Sequence, residues 1–122
     1  MTAQRIIQPI RGEIYLVNFD PTIGSEINKT RPALIIQNDL ANENSPVTII
    51  AAITSKFDDR LYPTEVRIDP PEGGLKTISV VLLNQIRTID RQRLIRRIGA
   101  IGSGKLNEVD RAIQISLGLM DL

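Results

Sequence analysis

Arg31 stands directly before Pro32 and the apolar run Ala33-Leu34-Ile35-Ile36, at the end of the polar stretch GSEINKT, residues 24–30. A proline pushes the residue before it toward extended geometry, so Arg31 is aimed from the mouth of a strand. A planar guanidinium suits phosphate. The alternative is a surface arginine paired with Glu26 or with solvent. Thr54 is the second candidate, at the far end of the branched run Val47–Thr54 and ahead of Ser55 and Lys56. Strand ends hold β-branched threonine for backbone reasons too. If the two runs pair as an antiparallel hairpin, however, the start of one lies beside the end of the other, and Arg31 meets Thr54.

A third constellation is Asn84-Gln85-Ile86-Arg87-Thr88 followed by Arg91, Arg93, Arg96 and Arg97. Such a concentration of arginine is either a phosphate-binding surface or a solvated face. Strict alternation places Val81, Leu83, Gln85 and Arg87 on one face of a long strand. There an amide and a guanidinium could read a base edge and hold a phosphate.

The chain has no histidine and no cysteine. That removes the usual general base, the Ser-His-Asp and Cys-His arrangements, thiolate nucleophiles and disulfides. Asp58-Asp59 is the one adjacent acidic pair, which argues against a magnesium-holding carboxylate cluster, and no metal or cofactor is expected. Tyr15, Phe19, Phe57 and Tyr62 are too few for a broad base-stacking platform.

The elements that must position these residues are mostly strands. Alternation predicts strands at 13–19, 33–37, 47–54, 64–68, 78–88 and 94–98. Residues 38–46 are rich in turn formers with room for one helical turn, Asp69 to Gly74 is a turn, and Asp90 begins a tight one. Leu106, Val109, Ile113, Leu117 and Met120 recur at helical spacing after a predicted Ser103 N-cap. The result is a mainly β fold, a small antiparallel barrel or curled sheet with a C-terminal helix, formed by residues 1–122 as a single domain. Fifteen basic and 14 acidic side chains leave a net charge of +1, so any nucleic-acid site must be local. The first residues, MTAQRIIQPIRG, lack a long hydrophobic segment, and a cytoplasmic location without a membrane anchor is expected.

Four stretches in order, Arg11-Gly12-Glu13-Ile14-Tyr15, Phe19-Asp20-Pro21-Thr22 with Gly24-Ser25-Glu26, Arg31 to Gln37, and Leu82 to Asp90, resemble the MazF/PemK toxins across nearly all of residues 10–121. The resemblance implies an SH3-like barrel of the MazF/CcdB plasmid-maintenance toxin type, working as a homodimer. It implies a sequence-specific, metal-independent endoribonuclease that cuts single-stranded messenger RNA, inhibited by a cognate MazE-like antitoxin whose acidic or amphipathic tail covers the RNA groove. By the same resemblance Arg31 and Thr54 are the catalytic pair, and Ser25 and Glu26 contact substrate. RNA carries its own nucleophile, the 2′-hydroxyl, which would let a chain without histidine or cysteine cleave it. This sequence departs from the family at Ile27-Asn28-Lys29-Thr30, where many members have glutamine and a glycine. Lys29 there is a candidate for an RNA phosphate. Two other readings are a toxin of the same fold that poisons a protein such as gyrase, and an RNA-binding barrel without catalysis. The first is disfavoured by the absence of tryptophan.

Overall fold

Branched residues at alternate positions resolve into six strands in the computed structural model, which describes residues 7–19 and 29–121. They are β1 (Glu13–Asn18), β2 (Thr30–Ile35), β3 (Val47–Thr54), β4 (Glu65–Ile68), β5 (Ser79–Asp90) and β6 (Leu94–Ala100). A short helix α1 (Asp39–Asn44) joins β2 to β3, and α2 (Ser103–Ser116) follows β6. All pairings are antiparallel, in the order β4-β5-β3-β2-β1-β6.

The central strands are buried on both faces, because alternate side chains feed two apolar clusters. Ile14, Leu34, Ala51, Ile53, Val81 and Leu83 join one cluster under α2, which contributes Val109 and Ala112. Tyr15, Val17, Ala33, Ile35 and Ile50 join the other. Closure of the curl is made by the turn after β4, where Glu72–Gly74 packs on β6 at the far edge of the sheet. Glycine is required there: a Cβ at Gly99 would collide with the backbone of Gly73. Helix α2 begins at Ser103, but its N-cap is Gly102 rather than the predicted Ser103. The Gly102 N–H is taken by the Glu72 carboxylate at 2.9 Å, which ties the helix start to the closing turn.

The far end of the β2–β3 hairpin is pinned by a buried polar knot. Asn42 of α1 is fully buried; its Oδ1 accepts from Gln37 Nε2 at 2.9 Å and from Thr48 Oγ1 at 2.8 Å, and its amide donates to the Gln37 carbonyl at 3.1 Å. Asn42→Leu would take the partner from the Thr48 hydroxyl and from the Gln37 carbonyl in a dry interior, and would leave the Gln37 side-chain amide only its bond to the Val47 carbonyl. Each unsatisfied group costs about 1–3 kcal/mol, so a loss of roughly 3 kcal/mol or more is expected by denaturant titration.

Candidate active site

The site is built where the β2–β3 hairpin comes apart. Ala33 pairs with Ala52 and Leu34 with Ala51, and the β2–β3 ladder ends there. Pro32 has no N–H to donate, so β3 gains nothing by following β2 further. On its other edge β2 continues to pair with β1, through Pro32 opposite Leu16 and Arg31 opposite Val17. Arg31 therefore sits on firmly held backbone while its side chain borders the gap left by β3. Continuing the hairpin register by two residues sets Arg31 opposite Thr54.

Both residues line one cavity of about 730 Å³, together with Lys56, Glu65, Leu82 and Gln85. Arg31 is exposed and has no ion-pair partner among the described residues. The Thr54 hydroxyl is engaged in a tight local turn: Oγ1 donates to the Lys56 carbonyl at 3.2 Å and accepts from the Lys56 N–H at 3.1 Å. That turn fixes the oxygen at the strand end, and rotation of the O–H alone redirects its proton into the cavity.

Strict alternation fails in β5. Ala51 pairs with Ile86, yet the next residue, Ala52, pairs with Leu82, so Leu83, Asn84 and Gln85 bulge out of the ladder. The bulge reverses the faces beyond it. Val81, Leu83 and Ile86 all pack in the cluster under α2, whereas Arg87 lies opposite Ile50 of the second cluster. The predicted shared face of Val81, Leu83, Gln85 and Arg87 is thus incorrect, because three unpaired residues shift the parity. The pair Gln85 and Arg87 nonetheless stays together. Both line an adjoining cavity of about 470 Å³ with Phe19, Lys29 and Arg31, and the Arg87 guanidinium stacks 5.4 Å from the centre of the Phe19 ring.

The remaining arginines do not form a phosphate-binding row. Arg91 donates to the backbone carbonyls of Ile7, Asn42 and Ser45, and Arg93 to that of Asn18. Arg97 pairs with Glu13, whose carboxylate also accepts from the Tyr15 hydroxyl at 3.3 Å. Burial, with the Glu13 charge beside it, pushes the Tyr15 hydroxyl up to about 12. Of the five clustered arginines beginning at Arg87, only Arg96 and Arg87 escape such structural duty, and Arg87 alone borders the cavities. Ser25 and Glu26 lie outside the described residues. Two residues of the cavity wall, Lys56 and Glu65, are not among the candidates that residue type and spacing pick out. Lys56 is signalled by following Thr54 in chain order, whereas Glu65 comes from a separate strand and reaches the site only through tertiary pairing.

Comparison with known proteins is consistent across sequence and structure. The family described as PemK-like, MazF-like toxin of type II toxin-antitoxin system matches residues 10–117. Endoribonuclease EndoA of Bacillus subtilis is 46% identical over 111 residues, covering 91% of this chain and 96% of that protein. MazE-MazF from Deinococcus radiodurans superposes with a TM-score of 0.77 at 28% identity, over 93% of this chain and 99% of the matched one. The Mycobacterium tuberculosis toxin MazF-mt6 gives 0.74 at 26% identity, over 90% and 99%.

Proposed function

The chain belongs to the PemK-like, MazF-like toxins of type II toxin-antitoxin systems and is an endoribonuclease of that type; from that premise we propose that it acts as one domain, cutting single-stranded RNA with the Arg31–Thr54 groove and the substrate's own ribose. The 2′-oxygen loses its proton and attacks the neighbouring phosphorus in line with the 5′-oxygen. The P–O5′ bond breaks, the 5′-oxygen takes up a proton, and the products are a 2′,3′-cyclic phosphate and a 5′-hydroxyl. Arg31 neutralises the charge that builds on the phosphorane and donates toward the leaving oxygen. Thr54 donates to a non-bridging oxygen while its own oxygen still accepts the Lys56 N–H. Pre-organised donors of this kind stabilise charge only as it develops, which is what lowers a barrier.

The observation that carries this reading is the placement of Arg31 and Thr54 on one cavity wall, across the opened end of the hairpin. Lys29, Gln85 and Arg87 supply contacts for the flanking nucleotides, and the family resemblance adds Ser25 and Glu26 as further substrate contacts. The Deinococcus relative was crystallised as MazE-MazF. By analogy, a MazE-like antitoxin covers this groove with an acidic or amphipathic segment. By the same family analogy the active form is a homodimer in the cytoplasm; among the described residues no helix is long and apolar enough to cross a membrane.

Incubation with RNA in excess EDTA tests the scheme. Undiminished cutting is expected, with 5′ ends that polynucleotide kinase labels without prior phosphatase treatment. A strict Mg²⁺ requirement, or 5′-phosphate ends, would overturn it.

A further inference from the structure

The groove is lined by two carboxylates, Glu65 and Asp58, to which the cleavage scheme above assigns no role. Glu65 opens β4 and belongs to a row that crosses the sheet: Glu65 pairs with Leu82, Leu82 with Ala52, and Ala52 with Ala33. Directly opposed residues emerge on the same face. Glu65 accordingly lines the 730 Å³ cavity with Leu82, Ala52, Arg31 and Thr54. With strands about 4.8 Å apart and a rise of about 3.4 Å per residue, two strands across and two residues along place its Cα on the order of 12 Å from that of Thr54. That distance suits a base next to the scissile phosphate or one step beyond.

The side chain is half-buried and oriented, since Oε1 accepts the Tyr62 N–H at 2.9 Å. Its other oxygen has no protein partner among the described residues. Arg67, two residues along β4, is paired with Asp69 instead. A fixed anion beside the path of a polyanion weakens binding through charge alone. It gains a use as an acceptor, because carboxylates recognise the amino hydrogens of bases, and single-stranded RNA presents its Watson–Crick edges for such contacts.

We propose that Glu65 is a specificity-determining residue: it accepts a hydrogen bond from the amino group of a base close to the cut, admitting cytosine, adenine or guanine there and rejecting uracil. Uracil presents two carbonyl oxygens flanking its one N–H, and these repel the carboxylate. The assignment rests on the reading of the groove as the ribonuclease site.

The test is cut-site sequencing on a randomised RNA library with the wild-type chain and Glu65→Gln. Glutamine keeps an oxygen for the Tyr62 N–H but adds an NH₂ that donates to uracil. The wild type is expected to disfavour uracil by at least about tenfold at one position near the cut, and the variant by no more than about twofold, with other positions unchanged. The preference is a ratio within the cut population, so it survives a partial loss of folded protein. A residue that merely capped the Tyr62 turn would alter the rate and leave that ratio alone. An unchanged preference in Glu65→Gln overturns the assignment, as does a shift produced by Asp58→Asn in its place. Absence of cutting by the wild type would instead sink the ribonuclease reading, and this inference with it.

Discussion

Arg31→Ala is expected to lower the single-turnover cleavage rate by about 10²- to 10³-fold, the range seen when one pre-organised donor to a developing oxyanion is removed. The fold should not notice. Arg31 is exposed, has no ion-pair partner among the described residues, and stands on backbone that β1 holds opposite Val17. A thermal melt by circular dichroism should superpose on that of the wild type. Arg31→Lys separates charge from geometry: it keeps the cation but loses the planar fork, and recovery of most of the rate would show that point charge suffices. Retained cleavage in Arg31→Ala would remove this residue from the chemistry and leave Thr54 without its partner.

A substrate with a single 2′-deoxyribose at the cut position is expected to give no cleavage above background while binding as well as its all-ribose counterpart. The chain has neither histidine nor cysteine to generate a nucleophile of its own. If the nucleophile belongs to the RNA, deleting one oxygen from the substrate abolishes the reaction, whereas Lys29, Gln85 and Arg87 still have phosphates and bases to hold. Fluorescence anisotropy measures the retained binding and denaturing gels the missing product. Cutting of the deoxy substrate at the same bond would require a water nucleophile and a different mechanism.

Much of the frame is legible in the order of residues alone. The strand Val47–Thr54 has the bounds that alternation predicts, and a C-terminal helix forms where the apolar period predicts one, starting one residue earlier than a Ser103 cap would set it, because runs of branched residues and a 3.6-residue apolar period are local properties. Alternation starts β2 at Ala33, after the proline, whereas the strand begins at Thr30. A proline within a sheet is tolerated where one neighbour has already left, and nothing in the local sequence says which neighbour that is. The arginines after Thr88 illustrate the opposite error. Guanidinium groups look alike in a sequence whether they meet solvent, phosphate or a buried carbonyl, and Arg91, with backbone acceptors from Ile7, Asn42 and Ser45, is part of the scaffold.

Residue types and their spacing settle which chemistry is on offer: no imidazole and no thiol, an arginine set against a proline, and a threonine at the end of a branched run, with an alternating pattern that commits most of the chain to a sheet. Which of these groups share a cavity depends on the folded chain. The bulge at Leu83–Gln85 parts Arg87 from Val81 and Leu83, and the register of β4 on β5 brings Glu65 from an edge strand to the wall that holds Thr54. Side-chain direction is set residue by residue along a strand, whereas the partner across a ladder depends on register, and one irregularity in register changes the face of everything beyond it.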